Sequence, residues 1–350
     1  MALHAPPERE LHGMRQSHQR IDITWLGGPE IAALEMTDAE ILHAVEQALH
    51  AQGNGQAVIE PRMHLLPDPS VHGHFNVLRG FVAPLGYAGV KIVGDYVDNY
   101  KKGLPSEMAL LNLFDPKTGM PRAILDAAAI TDMRTGALTA LGGKYLARKN
   151  SRILGHIGAR GTAYWNVRLL DHYFNFDEIR VHSRRPESRE AFAARLEADL
   201  GKSITVTDNW QDCLAGADIM VEASRLTERA ELFKTAWLTP GTTVIPYGTV
   251  SALEFSLPQR ADKIVIDDFG QFRAGRFGAL RPQIDAGVLS EETVHGELCQ
   301  VVTGQKPGRE TADEIILFWH RGLSLSDIAL GAAMLDKAAQ KGLGTSLRYA

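Results

Sequence analysis

Arg152-Ile-Leu-Gly-His-Ile157-Gly158-Ala159-Arg160-Gly161-Thr162-Ala163 is the stretch on which the fold turns. An apolar run ends abruptly at Gly158, and a helix-compatible segment, 162–170, starts at once. A strand that turns this tightly into a helix leaves open amides at the helix N-terminus, where a diphosphate binds without a dedicated side chain. The glycine signal alone is weak. A second glycine of the usual G-x-G-x-x-G would stand at Arg160, and Gly161 comes one place late.

The flanking pattern gives the turn its meaning. Downstream, strands at 178–182, 204–206, 219–222, 243–246 and 263–267 follow one another, with a helix over 187–200. That βαβ rhythm predicts a parallel sheet covered on both faces. Ser290-Glu-Glu-Thr293 is expected to cap another helix. Upstream the pattern differs. Residues 21–26 alternate as a strand, and Thr37-Asp38-Ala39-Glu40 is a capping box opening a helix that carries Ile41, Val45 and Leu49 to Gly53. Short strand-like runs at 62–66, 75–79, 89–93 and 108–114, the last closed by the turn 115–119, predict a mixed or antiparallel sheet. The tail, 326–341, is an amphipathic helix ending at Gly342 and Gly344, placed to return to the first half. The fold class is therefore α/β: a Rossmann-type nucleotide domain over 149–317, a discontinuous α+β domain from 21–148 and 318–350, and a mobile arm over 1–20. The chain shows no internal repeat.

At 350 residues and 45% hydrophobic, the chain can bury two cores. A net charge of −5 argues against a nucleic-acid partner, and no basic run suggests a membrane surface. Cys213 and Cys299 are the two cysteines; far apart, they suit a reducing cytoplasm and give no metal-site spacing. The first 20 residues are polar, with Pro6 and Pro7, and lack the apolar core of a signal peptide or membrane helix. A cytoplasmic location is the expectation.

Two groups of residues carry chemistry. The second strand of a dinucleotide domain ends beside the adenosine ribose, where NAD-users place a carboxylate. Here that strand ends Arg180-Val-His182-Ser183-Arg184-Arg185-Pro186. A hydroxyl and two guanidiniums suit a 2′-phosphate, which favours NADP(H), with NAD(H) the alternative. A basic surface turn is the bland reading. In the first half stand Arg62, Lys91 on an apolar strand, and Arg134 within Thr131-Asp-Met-Arg134-Thr135. Each alone is more often a solvated or paired charge. Together, beside a nucleotide fold, they make a carboxylate-binding pocket with a proton donor.

The chain also resembles the ornithine cyclodeaminase / mu-crystallin family over nearly its whole length after residue 20. The resemblance rests on Gly89-Val-Lys91, Asn99, Leu104-Pro105, the turn 115–119, Thr131-Asp-Met-Arg134-Thr135, Ile157-Gly158-Ala159 and Pro240-Gly241. It continues through Gly296-Glu297-Leu298, Val302-Thr303-Gly304 and Pro307-Gly308-Arg309. It implies a homodimer paired through the non-nucleotide domains, a bound nicotinamide cofactor and a small amino- or imino-acid substrate. It further implies that Arg62 and Arg134 hold the substrate carboxylate, that Lys91 bridges it to the reacting centre, and that Ser106 stands where members carry a hydroxyl. Gly158, Ala159, Thr162 and Ala163 would lie under the diphosphate with Gly161 in the same turn. Thr135 would approach from the other domain, and Arg160 would add a phosphate contact or point to water.

The departures shape the functional expectation. Cyclodeaminases carry an acid shortly after the Pro-Gly strand, where this chain has Val250, and a second carboxylate for the side-chain amine, where it has Asn76. Phe318-Trp319-His320-Arg321-Gly322 replaces the usual residues near the end, with His320 as a new acid/base or substrate contact, or a packed histidine. The leading expectation is an imino-acid (ketimine) reductase or amino-acid dehydrogenase. Behind it stand a cyclodeaminase-type ammonia lyase, which needs the missing carboxylate, and a non-catalytic NADP-binding crystallin-like protein, which Arg62, Lys91 and Arg134 speak against.

Overall fold

The structure, a computed structural model, describes residues 20–350 except 69, 225, 227 and 275–277. Apart from Arg20, the expected N-terminal arm lies outside the described residues.

The first half runs β1 (Asp22–Leu26), α1 (Gly28–Ala33), α2 (Asp38–Gly53), β2 (Ala57–Ile59), β3 (Met63–Leu65), β4 (Gly73–Val82), β5 (Tyr87–Tyr96), β6 (Glu107–Phe114), β7 (Pro121–Asp126) and α3 (Ala128–Leu146). The capping box forms as expected: the Thr37 amide donates to Glu40 Oε2 at 2.7 Å and the Glu40 amide to Thr37 Oγ1 at 3.3 Å. The β6–β7 hairpin is closed by Asp115 Oδ1, which accepts from the amides of Lys117 and Thr118. Helix α3 is the element the pattern does not announce. It is buried on nearly every side from Arg134 to Gly143 and lies against α2, α4 and α11 as well as strands of both sheets, so no polar face marks it.

The second half runs β8 (Ile153–Ile157), α4 (Ala163–Phe174), β9 (Glu178–His182), α5 (Pro186–Leu200), β10 (Thr205–Val206), α6 (Trp210–Leu214), β11 (Ile219–Glu222), β12 (Thr243–Pro246), α7 (Leu257–Arg260) and β13 (Lys263–Ile266). It ends with α8 (Phe269–Ala274), α9 (Arg281–Asp285), β14 (Gly296–Glu297), α10 (Leu298–Val302), β15 (Ile316–Trp319), α11 (Ser324–Lys341) and β16 (Thr345–Arg348).

Two eight-stranded sheets result among the described residues. The first, in order β16-β1-β7-β6-β5-β4-β2 with β3 also on β4, is antiparallel except where β1 meets β7. The second, β10-β9-β8-β11-β12-β15-β13-β14, is parallel throughout. Its order reverses between β8 and β11, and a doubly wound sheet opens a crevice at the carboxyl ends of strands placed like that.

Three expectations change. Ser290 opens only the single 3-10 turn Glu291–Thr293, not a longer helix. Phe318 and Trp319 belong to β15 of the second sheet, so a boundary at 318 cuts a strand and the chain crosses back only after Trp319. Beyond the tail helix, β16 pairs antiparallel with β1 at the sheet edge. Helix α11 packs on β4, β5, β6 and α2, returning to the first sheet as expected. No helix among the described residues is long and apolar enough to cross a membrane.

Candidate active site

A cavity of about 430 Å³ lies between the two sheets. Strands β4 and β5 contribute Asn76 and Lys91 to its lining, the residues just before β3 and β6 contribute Arg62 and Ser106, α3 contributes Asp132, Arg134 and Thr135, and the glycine turn contributes Arg160, Gly161 and Thr162. Residues far apart in the sequence thus line one cavity.

At its base, Lys91 and Arg134 share one carboxylate. Lys91 Nζ lies 2.6 Å and Arg134 Nε 2.7 Å from Asp327 Oδ1, all three side chains buried. Lys91 also donates to Thr131 Oγ1 at 3.0 Å. Burial, reinforced by the Arg134 charge, pushes the Lys91 ammonium down to about 7. Asp132, on the same wall, is pushed up to about 6 by burial. Arg134 Nη1 has no partner among the described residues. It stands against Gly322, whose φ is +81° and where an ideal Cβ would come 1.6 Å from that nitrogen. Only glycine fits both the backbone and the neighbour.

Arg62 completes the cationic wall. Its Nη2 donates to the carbonyls of Arg321 at 2.8 Å and Gly322 at 3.1 Å, tying β3's approach to the segment after β15. Its Nε is buried without a partner, leaving donors for an anionic ligand.

The opposite wall fits a dinucleotide. Gly158 adopts φ +108°, and an ideal Cβ there would lie 2.6 Å from the Ala223 carbonyl oxygen, so the turn passes where only glycine can. No side chain caps α4. Thr162 Oγ1 is instead hydrogen-bonded to Tyr247 Oη, so the start of α4 is left without a side-chain cap, with the Ala163 amide donating to the Arg160 carbonyl at 3.3 Å. Gly158, Ala159 and Ala163 sit outside the cavity lining, beneath the turn whose rim is Arg160, Gly161 and Thr162. Thr135 reaches the cavity from α3 with its hydroxyl bonded to the Thr131 carbonyl at 2.7 Å.

Residues 29–342 match the ornithine cyclodeaminase/mu-crystallin family. The chain belongs to this family. It is 32% identical to an alanine dehydrogenase of Archaeoglobus fulgidus over 325 residues, 91% of this chain and 96% of the other. Among solved structures it is similar to Thermococcus litoralis Δ1-pyrroline-2-carboxylate reductase in complex with NADH and L-proline, with a TM-score of 0.87, 29% identity, and coverage of 93% and 100% of the two chains. An archaeal alanine dehydrogenase dimer with bound NAD is equally similar: TM-score 0.86, 30% identity, coverage of 94% and 100%.

Several departures from the family pattern resolve in the structure. His320 is corrected as a catalytic candidate. Its ring is fully buried behind the cavity wall, stacked between Tyr247 and Phe318 at centroid distances of 4.7 and 5.1 Å, with Nε2 3.0 Å from Thr139 Oγ1. Burial pulls it down to about 3, so it is a neutral ring packed between Tyr247 and Phe318. Val250 does not line the cavity, whereas Asn76 does, with Nδ2 3.2 Å from His74 Nε2. Asp95 and Glu107, which face each other across β5 and β6, also line it, so the outer end is less poor in carboxylates than the sequence suggests. Ser183, Arg184 and Arg185 follow β9 outside the cavity. Both arginines are exposed, and Ser183 Oγ donates to the Arg185 carbonyl at 3.2 Å.

The sequence reading missed Asp327, Arg321 and Tyr247. A signal for Asp327 existed: it is an acid on the apolar stripe of the tail helix, with Leu323, Leu330 and Gly331 three or four places away. Such an acid needs a buried cation, and Lys91 is the matching oddity.

Proposed function

We propose that this protein reduces the C=N bond of an α-imino acid, or runs the reverse oxidation of an amino acid. The observation that carries this is the buried Lys91–Asp327–Arg134 cluster opening into the same cavity as the uncapped glycine turn. Arg62 and Arg134 hold the substrate carboxylate through donors that have no other partner, which fixes the α-carbon against the second wall. Lys91 gives its proton to the imine nitrogen, and Asp327 keeps the group oriented and favours its reprotonation. A nicotinamide, when bound, supplies the hydride. Asp132 lines the same space, its carboxyl raised by burial to about 6.

The test is incubation of the purified protein with NADPH or NADH and a panel of cyclic imines and of 2-oxo acids with amines. Consumption of the reduced cofactor with formation of the amino acid is expected. L-ornithine with a catalytic amount of NAD(P)+ is the counter-test, because Asp95 and Glu107 offer a place for a distal ammonium. Sustained proline and ammonia without net cofactor change would replace the reductase reading with the cyclodeaminase one.

The cofactor is NADP(H) in preference to NAD(H) in this reading. Arg184 and Arg185 stand free of ion pairs among the described residues at the end of β9, the strand next to β8. Replacing both with alanine is expected to weaken NADPH binding by about 1.5–3 kcal/mol per charged hydrogen bond lost, with little change for NADH. Calorimetry that finds NADH the tighter ligand of the unmodified protein would end the assignment.

A homodimer formed through the first sheet is part of the same reading. Its outer face exposes Met63, Leu65, Ile92, Met108 and Leu110, and Ile92 lies opposite Leu110 in register. A contiguous apolar face of this kind is unusual on a monomer. Leu110→Asp is expected to convert the dimer to a monomer in light scattering. A monomeric unmodified protein would remove the proposal.

A further inference from the structure

We infer that Arg321 receives a second carboxylate on the substrate side chain, making an α-imino dicarboxylic acid the preferred substrate. This rests on the reductase reading above and names the substrate class of that site. Arg321 lines the cavity, and its Nη1 is buried without a partner among the described residues. The backbone that presents it is fixed independently of its side chain. Asp267 Oδ2 accepts the amides of Arg321 at 2.7 Å and Gly322 at 3.0 Å, while Asp267 Oδ1 is itself unpartnered. The guanidinium lines the cavity with Nη1 unbonded, and the nearby Asp267 carboxylate acts on it electrostatically.

The charge balance points the same way. Arg62, Lys91, Arg134 and Arg321 all line the cavity, and against them stand the Asp327 carboxylate, shared by Lys91 and Arg134, and Asp132, whose carboxyl burial pushes up to about 6. Burial pushes Asp267 up and Lys91 down to about 7, so each contributes only part of a charge near neutral pH. One substrate carboxylate on Arg62 and Arg134 still leaves Arg321 with a buried, unused charged donor, which is costly. A second carboxylate satisfies it through the planar fork of the guanidinium. Asp95 and Glu107 line the same cavity, and Asp95 stands four residues along β5 from Lys91, roughly 13 Å at the rise of an extended strand.

The transformation balances as imine, hydride from NAD(P)H and one proton going to the amine and NAD(P)+. The imine comes from a 2-oxo acid and ammonia with loss of water. The experiment compares oxaloacetate and 2-oxoglutarate with pyruvate and 2-oxobutyrate, each with ammonium and reduced cofactor. In parallel, calorimetry measures L-aspartate and L-glutamate against L-alanine in the presence of NAD(P)+. The dicarboxylic acids are expected to be preferred by about 100-fold in kcat/KM, mainly through KM. Arg321→Leu is expected to collapse that ratio, and Arg321→Lys to restore part of it. Equal use of both classes by the unmodified protein would overturn the inference. So would an Arg321→Leu variant that loses both classes in equal proportion, or one that loses NAD(P)H affinity. If no substrate is reduced at all, the reductase reading falls, and the calorimetric preference and its dependence on Arg321 still decide this one.

Discussion

Lys91→Met is expected to lower imine reduction by about 10²- to 10⁴-fold, the share that a positioned general acid contributes. NADPH binding should survive, because the glycine turn and the end of β9 lie on the other sheet. Methionine keeps the length and fills the volume, so the loss reports the ammonium and not a cavity. The pH dependence gives a second readout. Burial and the neighbouring Arg134 hold Lys91 down near 7, well below a free lysine. Reduction needs the protonated form as donor, so its rate should fall as pH rises through about 7. The oxidative direction needs the free amine and should gain over the same interval. In Lys91→Met both limbs should flatten. A variant with full activity and an unchanged profile would remove Lys91 from the proton path.

Parts of this site were legible in the chain and parts were not, for physical reasons. Strands β11 and β12 have the bounds the pattern gives, because strands buried on both faces read as short apolar runs stopped by turn residues, and β9 has them through its alternation of buried and half-buried residues. The glycine turn announces itself because its backbone passes within reach of the Ala223 carbonyl, and no side chain is tolerated there. Helix α3 gives no such signal. It supplies Asp132, Arg134 and Thr135 to the cavity, yet it is packed on nearly all sides and shows no polar stripe. The position of β15 between β12 and β13 is a matter of sheet order, which no local pattern encodes. His320 was drawn toward the chemistry by its sequence neighbours. In space the strand places its ring behind Tyr247, and the next residue, Arg321, is the one that reaches the cavity.

Asp327→Ala is expected to be the most destabilising single change in the site. Asp327 is fully buried and is the carboxylate that Lys91 and Arg134 share, at 2.6 and 2.7 Å. Removing one partner of a buried ion pair leaves the other charges desolvated and uncompensated, at a cost of about 3–5 kcal/mol. Lys91 can partly escape by losing its proton, since it is already held low, whereas Arg134 is left buried with its carboxylate partner removed. The variant should therefore show an earlier urea midpoint, and its Lys91 should no longer serve as a proton donor near neutral pH. A double-mutant cycle separates this account from a simple packing loss. Adding Lys91→Met to Asp327→Ala removes one of the orphaned cations, so the double variant should be more stable than Asp327→Ala alone. If the two losses instead add, the ion cluster is not what Asp327 contributes. Its role would then be reduced to filling the space between α11 and β5.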